Sequence, residues 1–254
     1  EWTSSHGAAG RMTASARLHK LPAEMRPAEA ADPVHVFVRA DLGQNETRVH
    51  SAVSGDDALI AATKDIDLYQ PVAGRLGVDR DIAKVAVLGA MYGSTTGESA
   101  HALRGLQHAY PTAMRFLEHA AAEGSAGNDV MTVGGRCIRM WVDSSVAGDI
   151  DRARAAAAAR GRFARNAVVQ GAAAEFFKVW AIIVRRQCRA LAADIVLCLH
   201  DELLVHAPAD RGDQAAAVVA AAVDEAAYYW SPEPDVRFVA DVSVISRWSE
   251  AKDA

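Results

Sequence analysis

Cysteine is scarce in this chain. Cys137, Cys188 and Cys198 are the only three among 254 residues, and no two form a Cys-x-x-Cys pair. An odd count without a framework excludes a disulfide-stapled scaffold and points to reduced, cytosolic thiols acting as small core hydrophobes. Aromatic residues are also few, at 6%. With so many alanines, helix-rich packing is expected. No stretch of about 20 apolar residues, signal peptide, P-loop, Cys/His zinc spacing or internal repeat is expected, so neither a membrane span nor a membrane partner is expected. A basic excess is missing too: the formal net charge is −5. Stand-alone nucleic-acid binders are more often basic. A local basic cleft stays open, since Arg11, Arg17, Lys20, Arg80, Lys84, Arg160, Arg162 and Arg165 could face one way.

What is there begins with a 51% hydrophobic share, enough for a full core in one large domain or two smaller ones. Near the C-terminal end, Ile195-Val196-Leu197-Cys198-Leu199 and Leu203-Leu204-Val205 are strand-like runs. Between them stand His200, Asp201 and Glu202, so the segment reads as a β-hairpin with three polar groups at or near its turn. Taken alone this is a solvated turn. Adjacent carboxylates on a buried hairpin are costly without a cation, however, and a divalent metal is the obvious candidate. Far upstream, Val34 to Ala40 is another strand-like run that ends at Asp41. Asp41 either caps the following helix or converges with Asp201 to hold metal. Two carboxylates plus substrate phosphate is how Mg²⁺ is usually bound.

A third segment, Asp79 to Gly93, reads as a helix. Arg80, Lys84 and Leu88 are four apart and share one face, with Tyr92 continuing the stripe. Ile82, Val85 and Leu88 or Gly89 offer a packing side. The helix either presents two cations to one anionic ligand or is an ordinary amphipathic helix.

These segments together resemble the family A (polymerase I-like) DNA polymerases. Asp41-Leu-Gly-Gln-Asn-Glu-Thr-Arg48 is similar to the family's first polymerase motif. Arg80-Asp-Ile-Ala-Lys84 through Tyr92-Gly93 is similar to its fingers-helix motif, and His200-Asp201-Glu202 to its third motif. Arg162-Phe-Ala-Arg-Asn166-Ala-Val-Val-Gln170-Gly171 resembles the helix carrying Arg, Asn and Gln, and Gly10-Arg11-Met12-Thr13 the Gly-Arg segment. Five segments stand in the family's order. The alanine-rich wording resembles the actinobacterial bifunctional exonuclease/polymerase type.

The resemblance implies an α+β fold: a right-hand palm with an antiparallel sheet and an inserted helical fingers subdomain, without thumb or exonuclease domain. The palm is expected over residues 1–62 and 161–254, the fingers over 63–160. It implies a DNA-directed DNA polymerase acting on primer-template DNA and dNTPs with two Mg²⁺ ions, Mn²⁺ being a substitute. Asp41, Asp201 and the Leu42 carbonyl would bind metal. Arg80 and Lys84 would contact the triphosphate, with Lys84 also a proton donor to the leaving group. Leu88, Tyr92, Gln44, Glu46 and His200 would line the nucleotide, Glu46 excluding a 2′-hydroxyl. Arg11, Arg48, Arg162, Asn166, Gln170 and His200 would contact DNA, and Glu202 would join the catalytic group beside the primer terminus. Leu88 departs from the aromatic residue common there, and Arg17 to Pro22 replaces the usual amide residues. A cytoplasmic, nucleoid-associated setting is expected. The alternative is a truncated, weak or inactive DNA-binding fragment lacking the parent's N-terminal regions.

Overall fold

Apolar runs of strand length dictate the sheet. The structure, a computed structural model, describes residues 2–6, 9–14, 23–93, 99–142 and 149–252; Arg17 to Pro22 lie outside them. The chain divides into two compact units. Glu1–Asn45, Ala174–Trp230 and Phe238–Ala254 form one, and Glu46–Ala173 with Ser231–Arg237 form the other.

The first unit is built on strands. β1 (Trp2–His6) and β2 (Arg11–Ala14) pair antiparallel. β3 (His35–Leu42) lies inside a four-stranded antiparallel sheet whose order is β6-β7-β3-β8, with β6 (Asp194–Leu199), β7 (Glu202–Pro208) and β8 (Ala240–Ile245). Side chains alternate between the two faces of a strand. On one face Val38, Ala40, Leu203, Val205 and Ala207 are buried. α8 (Gly212–Trp230) packs against these strands. Its own buried stripe is Ala215, Val219, Ala222, Val223 and Ala226, spaced for one helical side. Burial of each larger aliphatic chain contributes about 1.5–3 kcal/mol. The Trp180 indole donates Nε1 to the Val219 carbonyl at 3.2 Å, and Phe176 stacks on Phe238 with centroids 4.1 Å apart. The other sheet face carries Phe37, Leu197, Leu199, Leu204 and Ile245, packed together with Trp248.

The second unit is helical: α1 (Asn45–Ser54), which starts at the last residue of the sheet unit's first segment, α2 (Asp57–Ala62), α3 (Tyr69–Leu76), α4 (Arg80–Tyr92), α5 (Ser99–Ala109) and α6 (Pro111–Ala126). β4 (Val130–Met131) and β5 (Cys137–Ile138) form a small antiparallel pair. α7 (Ile150–Cys188) contributes its residues up to Ala173 here and the remainder to the sheet unit. With its terminal turn α7 is long and apolar enough to cross a membrane by length and composition. That corrects the expectation that no such segment exists. As in a core helix, however, 67% of its apolar window is buried within the protein.

The packing side of α4 differs from expectation. Ile82 and Val85 are exposed, whereas Ala83, Ala86, Val87, Ala90 and Met91 are buried. Small alanines let α3 and α5 approach, so the close-packed side is the one with less side-chain bulk.

Two charged groups organise this unit's backbone. Buried Asp56 accepts from the Ala58 and Leu59 amides through Oδ1, both at 3.1 Å, and from Thr112 and Ala113 through Oδ2 at 3.0 and 3.1 Å. One carboxylate therefore caps both α2 and α6. Arg48 is wholly buried on α1. Its guanidinium donates to the carbonyls of Thr63, Arg237, Asp65 and Ile66 at 2.7, 2.5, 2.9 and 2.7 Å. Burial, with the nearby Arg237 charge, pulls its pKa down to about 10, so it stays charged at neutral pH. Arg48→Met is expected to destabilise by about 3–5 kcal/mol, because one buried and three part-buried carbonyls lose their donor. Urea unfolding of both proteins checks this; a loss near zero would make the guanidinium network dispensable.

Candidate active site

The period of β3 places Arg39 and Asp41 on one face, and antiparallel pairing brings acids to them from both neighbours. Asp41 stands opposite Glu202 on β7 and Asp241 on β8. β6 and β7 are joined by a two-residue turn, His200-Asp201, as the hairpin reading expected. His200 has φ 48°, a left-handed conformation costly for a non-glycine residue and typical of functional sites. The Asp201 carbonyl accepts from the Leu42 amide at 3.0 Å, which ties the turn to the end of β3. Gly43 continues this close fit. Its amide donates to Val239 at 2.9 Å, and a Cβ there would stand 2.8 Å from the Val239 Cγ2.

Arg39 is the hub of the cluster. It donates through Nη2 to Asp41 Oδ2 at 2.6 Å and to Glu202 Oε2 at 3.3 Å, through Nε to the same Glu202 oxygen at 3.4 Å, and through Nη1 to Asp241 Oδ2 at 3.0 Å. Its side chain is 11% exposed, against 34% for Asp41. The second Glu202 oxygen, Oε1, accepts from the Trp248 indole at 2.8 Å. Burial first, and then the Asp201 carboxylate, push the Asp41 pKa up to about 7, with Arg39 opposing the shift. Such a carboxyl is strained when ionised and gains most from a divalent cation. Among the described residues no group of three or more His, Cys, Asp or Glu side chains is arranged to hold a metal alone. The donor set fits an ion that completes its shell with water and substrate oxygens, as Mg²⁺ does.

In the helical unit, Arg80 donates Nε to Asp67 at 2.8 Å and Nη1 to Asp81 at 2.9 Å, and its guanidinium lies 5.4 Å from the Tyr69 ring centroid. Lys84 is exposed, and Leu88 half-buried. The Tyr92 hydroxyl donates to Glu46 Oε2 at 3.1 Å. Gly93 ends α4 with φ 73°, and a Cβ on it would come within 3.0 Å of Arg162 Cγ. Arg162, Asn166 and Gln170 follow at four-residue spacing on α7. Arg162 is exposed, Gln170 half-buried, and Asn166 Oδ1 is buried without a hydrogen-bond partner.

The structure thus groups Asp41, Leu42, Asp201 and Glu202 in the sheet unit, with His200 in the turn, Gln44 just past β3 and Arg11 half-buried on β2. Arg80, Lys84, Leu88, Tyr92 and Glu46 are grouped in the helical unit. Arg48 is corrected. It was expected at DNA, but its guanidinium is enclosed and bonded to backbone. Arg165, one of the cations left open as able to face a basic cleft, is half-buried and donates Nε to the Ala90 carbonyl at 2.5 Å. Sequence reasoning missed Arg39, Asp241 and Trp248. Strand alternation alone would have paired Arg39 with Asp41, whereas the other two needed the sheet register and the packing.

Comparison with known proteins follows the same segments. The model of DNA polymerase family A matches residues 8–250. DNA polymerase I of Chloroflexus aurantiacus is 33% identical, over 76% of this chain and 22% of its own length. The thermostable DNA polymerase I of Thermus filiformis is 28% identical, over 96% of this chain and 32% of its own. The chain therefore spans about a fifth to a third of these relatives. Among solved structures, the POL domain of Pol1 from M. smegmatis, in complex with DNA primer-template and dNTP, superposes with a TM-score of 0.81 at 23% identity. That match covers 99% of this chain and 48% of that one, and it shows a shared fold. With the family match running through β3, α4 and the β6–β7 hairpin, the chain belongs to DNA polymerase family A.

Proposed function

We propose that the chain carries the nucleotidyl-transfer centre of a DNA-directed DNA polymerase. In this reaction the primer 3′-hydroxyl attacks the α-phosphorus of a dNTP on a DNA template and pyrophosphate leaves. The observation that carries this reading is the strand register that sets Asp41 beside the Asp201 turn, in a chain of this family. The palm would comprise residues 1–62 and 161–254, and the fingers 63–160. Asp41, Asp201 and the Leu42 carbonyl would hold two Mg²⁺ ions, Mn²⁺ being a substitute. When bound, these ions would supply charge neutralisation at the attacking and leaving oxygens.

The chain's own groups do the rest. Asp67 and Asp81 hold the Arg80 guanidinium, which would meet an anionic triphosphate together with Lys84. Lys84 would then give a proton to the leaving pyrophosphate. Glu46, steadied by Tyr92, would crowd the sugar's 2′ position and reject ribonucleotides. Leu88, Gln44 and His200 would each also contact the nucleotide. Arg11, Arg162, Asn166 and Gln170 would contact the duplex. The minor groove offers similar acceptors at every base pair, so contacts there check geometry without choosing sequence. Glu202, gripped by Trp248 and Arg39, would orient the cluster rather than exchange protons. Work at the nucleoid follows from the substrate.

Primer extension on a primed template with Mg²⁺ and dNTPs tests the reading. Asp41→Ala and Asp201→Ala are each expected to lower the rate by about 10³-fold or more, since charge neutralisation by metal is worth several kcal/mol. Extension that survives both substitutions would sink the two-carboxylate assignment. Native protein that neither extends a primer nor binds a dNTP with Mg²⁺ would favour the inactive DNA-binding fragment.

The Asp41 pKa gives a second test. Folding raises it from 3.8 to about 7, so the folded state keeps a proton that the unfolded chain releases. Without metal, stability is therefore lost as pH rises from about 4 to 7, the window between those two values. Asp41→Asn should make the metal-free protein more stable at pH 8, by about 1–2 kcal/mol once solvent screening is allowed for, and should change little at pH 4. Mg²⁺ should stabilise the native protein and leave the variant unchanged. Chemical unfolding at the two pH values, with EDTA or Mg²⁺, reads all three effects.

A further inference from the structure

Arg39 is out of keeping with its surroundings. Its strand neighbours on the same face, Phe37, and its cross-strand partner, Leu204, belong to the apolar cluster capped by Trp248. An aliphatic side chain at position 39 would extend that cluster. Burying a guanidinium instead costs desolvation that ion pairing repays only with good geometry, and buried pairs are often no more stable than apolar replacements. Fold stability alone therefore does not account for Arg39. Its bonds do: one planar fork reaches carboxylates on three strands, namely Asp41 on β3 itself, Glu202 on β7 and Asp241 on β8. An ammonium group could not span them, because it is a point charge on a flexible stem.

We propose that Arg39 is a resident counter-cation and positioning residue of the carboxylate cluster, holding Asp41 and Glu202 in place before metal enters and lowering the cluster's metal affinity. This rests on the metal-binding reading of Asp41 and Asp201. The fork engages Asp41 through Oδ2, so a metal would draw on the carboxylate oxygen that Arg39 does not hold. Glu202 is locked from both sides, by Trp248 at Oε1 and by Arg39 at Oε2. Its negative charge therefore serves to anchor the guanidinium. Counting Asp41, Asp201, Glu202 and Asp241 against Arg39 leaves the cluster net negative. It still attracts divalent ions, but less strongly than the bare carboxylates would. The bound metal is then easier to release, and the carboxylates need no rearrangement to receive it.

The test separates charge from geometry. Mn²⁺ alone is titrated into the native chain, Arg39→Ala, Arg39→Lys and Asp41→Asn, with binding read by electron paramagnetic resonance. Primer extension then gives kcat and the KM for dNTP. Arg39→Ala is expected to bind Mn²⁺ about 3- to 30-fold more tightly, as a like charge is removed from a partly screened site, while kcat falls and KM for dNTP holds. Arg39→Lys, which keeps the charge and loses the fork, is expected to retain native Mn²⁺ affinity yet share the fall in kcat. Unchanged or weaker Mn²⁺ binding in Arg39→Ala, or native kcat in both variants, overturns the inference. If Arg39→Ala does not fold, Arg39→Lys decides: native kcat there overturns it. Failure of the underlying reading looks different: the native chain then binds no Mn²⁺, or Asp41→Asn binds it equally well.

Discussion

The register of β3 between β7 and β8 is the constraint on which the sheet unit depends. Asp41 meets Glu202 on one side and Asp241 on the other, and the Leu42 amide reaches the Asp201 carbonyl. Because side chains alternate, a slip of one residue would turn Asp41 and Arg39 to the α8 side and bring Ala40 and Leu42 to the acids. The apolar residues on both faces make such a slip costly. The core therefore fixes the chemistry: Val38 and Ala40 buried against α8 on one side, and Phe37 and Ile245 on the other, hold the acids in line.

The helical unit solves a different problem. Its helices are short, and their ends leave unpaired amides and carbonyls that must be satisfied. Asp56 and Arg48 do this with single charged groups, one capping two helix starts and the other collecting four carbonyls from two distant segments. The same chemistry that fits an arginine for anions makes it an efficient sink for carbonyl oxygens once it is buried. Position along the chain does not reveal which use is made of it.

Stability and function pull against each other at Asp41. Burial and the neighbouring Asp201 oppose its ionisation, and Arg39 restores only part of what they take. The resulting excess of negative charge is a liability in the metal-free protein and, under the proposed function, would be the source of affinity for a divalent ion. Functional sites commonly retain such local strain, and the rest of the core offsets it. His200, held in a left-handed conformation at the hairpin turn, belongs to the same economy.

Local sequence determined the elements that carry the chemistry. The apolar runs on either side of His200-Asp201 read as a hairpin, the run before Asp41 read as a strand, and the four-residue spacing of Arg80, Lys84 and Leu88 defined a helix face. Each depends on periodicity within one segment, which a sequence displays directly. Tertiary structure alone decided which groups meet. It enclosed Arg48, turned Ile82 and Val85 outward, drew Arg165 onto a carbonyl, and brought Asp241 and Trp248 from the far end of the chain to Arg39 and Glu202. These outcomes rest on register, close approach of small residues and desolvation. Such properties belong to pairs of segments distant in sequence, so no single segment reveals them.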